Sequence, residues 1–519
     1  MTIRQRTIGA RTPVFAAVRR VLNAAHIPHE PVESPLAISR REFIRRSAAG
    51  LGWLSLGTPI LTSCNRSGPR VAIVGAGLAG LNAAYVLKKA GVLATVYDAS
   101  DRVGGRILTA RNAVGVDSTA ELGGEFIDTR HADMLGLVKE FNLETLDQQP
   151  SSLANFHNAF FFGGQHYSEA QVVDAFKPFA ERIAADVKAV GRDISYLHAN
   201  DAAKRLDALS ISAYLDNIGL RDWQRELVQV AYVSEFGIDT ELQSALNLIT
   251  TLDTEAGAGQ AALYSGRSQR LVIKGGNEQI TQALAKQLES QLRLQHTFEM
   301  VKRRGDGYSL QFRDGNREVK DERADIVIFA LPFSLLREAS IDIPLSDVKR
   351  KAIEELGYGS HAKFLVGFKQ RVWRATQHNG QLFTDEPVRA SWDHTVLQPG
   401  ESAGMTFMLG GRQGKEVGHD QPERQVNRLM VGMERAFPGA RSARGEKILR
   451  LHWPTQRYSK GSTACYTVGQ WTSIAGAEVE SVGKIFFAGE HCSRDFQGSM
   501  NGAAETGRRA AQAVLALLK

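Results

Sequence analysis

Residues 71–107 read VAIVGAGLAGLNAAYVLKKAGVLATVYDASDRVGGRI. The apolar run Val71 to Val74 predicts a buried parallel strand. Gly75-Ala76-Gly77-Leu78-Ala79-Gly80 then fits G-x-G-x-x-G. The first glycine permits a tight turn, the second lets the backbone approach a pyrophosphate, and the third lets a helix pack on the strand. The Ala-rich stretch that follows has helical period, and its N-terminus offers free amides and a positive dipole end to phosphates. A second apolar strand ends at Asp98, 18 residues after Gly80, where a ribose-binding acid is expected, with Ala99 next. Strand, turn, helix, strand and acid in this order predict a dinucleotide-binding α/β unit. The competing reading is a glycine turn in some other α/β fold.

A second cluster, Arg102-x-Gly104-Gly105-Arg106, has no use in an NAD fold. It resembles the double-glycine motif of the FAD-containing amine oxidase family, in which a second turn closes over the pyrophosphate and ribitol. Further segments are similar to that family in the family's order. They are ELGGEFID at 121–128, RLVIKGGN at 270–277, ADIVIFALPF at 324–333 and YGSHAKFLVGFKQRVW at 358–373, closing with KIFFAGEHCSRDFQGSMNGAAETGRRAAQAV at 484–514. The resemblance implies that Gly123, Gly124, Glu125 and Phe126 run beside the flavin, and that Lys363 holds a water there and favours reaction with oxygen. It places Gly489 and Glu490 on the ribitol and aims the helix starting near Ser499 and Met500 at the flavin's pyrimidine edge. It implies an α/β fold with a discontinuous Rossmann-like FAD-binding domain (68–150, 265–335, 450–519) and an inserted α+β substrate-binding domain (151–264, 336–449).

The fold starts late. Residues 1–70 hold eleven Arg and three Glu, so the chain's net charge of +7 belongs to its leader and the body is near neutral. That gives no reason to expect nucleic acid. Within residues 1–67, Arg40 and Arg41 precede a short, glycine-rich apolar stretch that resembles a twin-arginine export signal and predicts a periplasmic or otherwise exported protein. Leu61-Thr62-Ser63-Cys64 resembles a lipoprotein box, with Cys64 as the candidate lipid anchor. The competing reading is a basic tail with an incidental Arg pair. Three cysteines are too few for a disulfide framework and have no metal-ligand spacing. No stretch of the body is long and apolar enough to predict a membrane span.

The resemblance implies oxidation of a small amine to an imine, hydrolysis of the imine, and transfer of electrons through FAD to O2, giving hydrogen peroxide. The chain departs from the family at three places. Amine oxidases often hold the substrate nitrogen between two aromatic rings, and one ring position is here Ser499. Tyr466 is the candidate for the other wall. The residue that links covalently to FAD in some members is Ser462 by direct count, or Cys465 with a three-residue insertion, so non-covalent FAD is expected. Where related L-amino-acid oxidases place an arginine for the substrate carboxylate, this chain has Phe126. An L-amino-acid oxidase, an FAD dehydrogenase or desaturase with another electron acceptor, and a non-catalytic flavoprotein stay open, as does a homodimer.

Overall fold

The computed structural model describes residues 12–25, 68–115, 118–148, 153–252, 271–398 and 402–519. Arg40, Arg41 and Cys64 lie outside them.

The quoted stretch folds as strand Val71–Val74, helix Leu78–Lys89 and strand Ala94–Tyr97. These strands belong to a five-stranded sheet in the order Ile485–Phe487, Ile326–Phe329, Val71–Val74, Ala94–Tyr97, Leu292–Arg293, with every pair parallel. Val71–Val74 is central and buried throughout, which is why its sequence is continuously apolar rather than alternating. The last helix, Met500–Leu517, packs on Leu78–Lys89 at backbone distance: a Cβ on Gly507 would sit 2.2 Å from the Ala79 carbonyl oxygen. Asn82 fixes the crossing by donating to the Ala504 carbonyl at 2.7 Å. Glycine and alanine at these positions let the two helices share one face of the sheet.

Among the described residues, two larger sheets and three two-stranded ones accompany it. A four-stranded sheet runs Val319–Ala324, Gly307–Arg313, Thr297–Arg304, Ser340–Asp342. A seven-stranded sheet runs Arg444–His452, Ala362–Phe368, Ala403–Leu409, Ala390–Asp393, His378–Thr384, His157–Phe162, Gln165–Tyr167. Its strands Ala362–Phe368 and Ala403–Leu409 are buried along their whole length. Helices Glu169–Val190 and Asp222–Phe236 lie between its first and second contributions to the chain.

Three expected boundaries move. Strand Arg444–His452 crosses the expected division at 450, because it pairs with Ala362–Phe368 through Leu451 and His452. Strand Ser340–Asp342 pairs in parallel with Thr297–Arg304, so that layer continues past 335. The third correction is at the N-terminus, expected to stay outside the fold as a leader. Residues Pro13–Ala25 form a helix whose Phe15, Ala17, Val18 and Val21 are fully shielded from water by the body. The physical reason is its amphipathic pattern, which gives it an apolar face to bury. Among the described residues, no helix is long and apolar enough to cross a membrane.

Candidate active site

Two joined cavities lie at the ends of the parallel strands. The larger, about 650 Å³, runs from Asp98 past the two glycine turns to Ser499 and Met500. The smaller, about 100 Å³, shares Arg106, Gly124, Ser462, Thr463, Ser499 and Met500 with it and continues toward Phe126, Trp392 and Glu235.

The glycine turns build the first cavity. Gly75 has φ +112°, and a Cβ there would lie 2.7 Å from the Ala330 carbonyl oxygen, so only glycine serves. Gly80 touches the Gly75 carbonyl, as the helix-on-strand reading requires. Gly77 differs: its φ is −72° and a Cβ would meet no protein atom within 4 Å. The space beside it is open to a ligand, at the N-terminus of helix Leu78–Lys89. Gly104, with φ +100°, donates to the Ala76 carbonyl at 2.9 Å, so the second turn is latched to the first. Arg102 bonds the Val103 and Gly105 carbonyls and braces this turn; it does not line either cavity. Asp98 accepts from the Ala76 amide at 2.6 Å and the Ser100 amide at 2.8 Å, while burial pushes its pKa up.

At the far end, Arg106 pairs with Glu490 at 2.8 Å and also bonds the Ser462 carbonyl. Glu490 accepts from the Ala464 amide as well, so three distant segments meet at one carboxylate. Ser499 caps the last helix by accepting from the Gly502 amide at 3.1 Å. Gly489 lines the same cavity. Leu78, Ala79, Ala99 and Gly105 also line it, whereas Gly123, Glu125 and Phe126 line only the smaller one. For those three the expected cofactor contact becomes a wall of the adjoining space.

Lys363 and Glu125 form the densest polar cluster. The lysine Nζ lies 2.8 Å from Glu125 Oε2 and donates to the Glu121 and Gly123 carbonyls, each at 3.0 Å. Its three N–H groups are all taken, which leaves none for the water that the resemblance assigns to it. Trp392 Nε1 donates to the other Glu125 oxygen at 2.8 Å. Burial pushes the neighbouring Glu121 up to about 8, offset in part by its bond from the Asn277 amide. Asn277, in the RLVIKGGN turn, also ties down the Gly124 and Glu125 carbonyls, so that turn holds the ELGG segment in place.

Tyr466 is not a wall of either cavity. Its ring is buried 4.7 Å from that of Trp471, and its hydroxyl bonds Glu478. Ser462 and Thr463, rather than Tyr466, stand at the junction of the cavities. Cys465 is likewise buried, beside Asn247 Nδ2 at 3.4 Å, and lines neither cavity. The smaller cavity's aromatic surfaces include Phe126 and Trp392, with centroids 6.0 Å apart, and Trp453. Trp392, Met408 and Glu235, from the inserted segments, and Trp453, from the start of the last FAD-binding segment, line the smaller cavity from stretches that carry no motif, so the sequence reading missed them. His361 bonds the Ser234 carbonyl through Nε2 and the Ser462 hydroxyl through Nδ1; the carbonyl can only accept, so Nε2 carries a proton. Among the described residues, no group of three His, Cys, Asp or Glu side chains is placed to hold a metal.

The sequence profile described as flavin containing amine oxidoreductase matches residues 78–515. The chain belongs to that family. It is 25% identical over 462 residues to the flavin-containing amine oxidase B of Canis lupus familiaris, covering 86% of each protein. To the flavin-containing amine oxidase of Oncorhynchus mykiss it is 24% identical over 456 residues, covering 86% of this chain and 85% of the other. Its fold matches that of cyclohexylamine oxidase from Brevibacterium oxydans with a TM-score of 0.75 at 20% identity, over 87% of this chain and 99% of the other. A putrescine oxidase structure matches with a TM-score of 0.72 at 21% identity, over 86% and 99%. This flavin-containing amine oxidoreductase takes FAD as its cofactor and acts on amines. Its own residues fit that group: the open space at Gly77, the helix N-terminus behind it and the Arg106–Glu490 pair stand along one continuous cavity.

Proposed function

We propose that this family member is an oxidase of small amines that binds FAD non-covalently, and that it is exported with its buried N-terminal helix still attached. The bound FAD supplies the redox chemistry, taking a hydride equivalent from the carbon beside the amine nitrogen and passing the electrons to O2 as hydrogen peroxide. The chain's residues do the rest. The glycine turns and the helix at Gly77 hold the phosphates, Asp98 faces the ribose, and Glu490 with Arg106 fixes the ribitol end. Phe126 and Trp392 enclose apolar substrate surface next to the reacting edge and exclude water. Lys363 keeps a fixed positive charge at that edge, where it stabilises charge that develops during electron transfer to oxygen. The imine is released to water and hydrolyses to the carbonyl product.

The observation that carries this reading is the small aromatic cavity opening directly onto the Arg106–Ser462–Ser499 end of the larger one. The second reading is an amino-acid substrate. It is disfavoured because both cationic side chains that line the smaller cavity, Arg106 and Lys363, already face the carboxylates Glu490 and Glu125. A substrate carboxylate placed there would be buried beside like charge. The deciding experiment is a panel of amines and L-amino acids given to FAD-loaded protein, scored for flavin bleaching without air and for peroxide with it. Bleaching by amines with peroxide release is the expected result. Bleaching by amino acids alone would overturn the substrate assignment, and bleaching without peroxide would overturn the oxidase assignment.

A further inference from the structure

One residue of the smaller cavity's wall comes from the N-terminal segment, outside every family motif. It is Thr12, the residue that opens the N-terminal helix Pro13–Ala25. Both the Thr12 amide and its hydroxyl donate to Glu235 Oε2, at 2.9 and 3.0 Å. Thr12 is 3% exposed and Glu235 1% exposed, so the contact is sealed from water. Thr12 also caps the helix: its hydroxyl accepts from the Phe15 amide and its carbonyl from the Ala16 amide. The positive end of the helix dipole therefore points at the Glu235 carboxylate from inside the cavity.

The rest of the helix is anchored to the same wall. Phe15 meets Tyr232 edge-on at 5.0 Å and Phe236 at 6.1 Å, and both rings belong to the helix that carries Glu235. Arg20 lies 3.5 Å from Glu169 and adds a peripheral ion pair. The segment is thus a built fit, held by apolar burial and by the Thr12–Glu235 contact at its tip.

A carboxylate in the wall of a cavity that admits amines is a natural partner for an ammonium group, the form in which most amines arrive at neutral pH. Here that position is taken by a peptide amide, a hydroxyl and a helix N-terminus, which satisfy the same carboxylate and repel an approaching cation. We propose that Glu235 is a recognition site for ammonium-bearing ligands, and that residues 12–25 act as a built-in plug competing with them for it. This rests on the amine reading above. Because plug and site share one chain, the plug acts at high effective concentration, and separating the helix from the body lowers its occupancy by orders of magnitude.

The test uses FAD-loaded protein and tert-butylammonium chloride. This amine has no hydrogen on the carbon that bears nitrogen, so it cannot be oxidised to an imine and reports binding alone. Its binding is read from the perturbation of the bound flavin's absorbance. Deleting residues 1–25 is expected to tighten binding about tenfold or more, and a synthetic peptide of residues 1–25 added in trans is expected to reverse the gain. A full-length Val21→Glu variant, which unseats the helix without removing it, is expected to match the deletion and covers the case in which the deletion fails to fold. Glu235→Gln in the deleted background is expected to remove the gain. Equal affinity in the full-length, deleted and Val21→Glu proteins overturns the plug. A gain that survives Glu235→Gln overturns Glu235 as the recognition site. Binding that follows the plug while no oxidisable amine bleaches the flavin overturns the amine-oxidase reading and leaves the plug standing.

Discussion

Lys363 and Glu125 meet at 2.8 Å with only 3% and 8% of their side chains exposed, at the junction of a seven-stranded sheet and the ELGG segment. An ion pair this deep depends on both members, because removing one leaves the other buried and uncompensated. Lys363→Met is therefore expected to lower stability by about 3–5 kcal/mol and to slow reoxidation of the reduced flavin by air. Adding Glu125→Gln is expected to restore most of the stability and none of the reoxidation rate. Thermal melts and stopped-flow reoxidation of both variants separate the two roles. Unchanged reoxidation in Lys363→Met would show that the charge serves packing alone.

The two glycines that open the dinucleotide turn should fail in different ways. Gly75→Ala forces a side chain into a φ of +112° and against the Ala330 carbonyl, so the variant is expected to express poorly. Gly77→Ala has an ordinary φ and open space, so it is expected to fold normally and to lose FAD. Circular dichroism checks the fold, and absorbance near the flavin band checks the cofactor. A yellow, tightly loaded Gly77→Ala protein would remove the pyrophosphate from that position.

Tyr466 and Thr463 test the corrected register. Tyr466→Phe loses a hydrogen bond to Glu478 in the core and is expected to lower stability by about 1 kcal/mol with amine kinetics unchanged. Thr463→Val alters the junction of the cavities and is expected to shift KM for amines or the flavin spectrum. If the two variants exchange behaviours in steady-state assays, Tyr466 and not Thr463 borders the substrate.

Glu121 makes stability depend on pH. Burial pushes its folded pKa up to about 8, while the unfolded carboxyl titrates near its ordinary value of 4.5. Between those values the unfolded state has lost a proton that the folded state keeps, so stability falls as pH rises through that window. Glu121→Gln removes this penalty. The stability gap between variant and parent is expected to widen from pH 4.5 to 8, reaching a few kcal/mol, and then to level off. Melting temperatures of FAD-loaded protein across that range measure it, and a gap that narrows with pH would place the carboxylate's charge in the fold.

The sequence by itself determined the nucleotide-binding half of this protein. Gly75, Gly77, Gly80, Gly104 and Asp98 act through the backbone within a few residues of one another, so local spacing encodes their geometry. The order of the later segments placed Lys363, Glu490 and Ser499 near the same site, because each lies beside a turn of fixed form. Only the tertiary structure decided the substrate half. Trp392 and Glu235 sit on a strand and a helix with no motif, and only the tertiary fold brings them to the cavity that Phe126 lines. Tyr466 shows the same limit from the other side: expected as a wall of the site, it packs in the core against Trp471. The N-terminal helix marks it most plainly. Its basic composition reads as a leader, yet its apolar face has a partner surface on Asp222–Phe236, and whether such a face is buried depends on distant residues that come together only on folding.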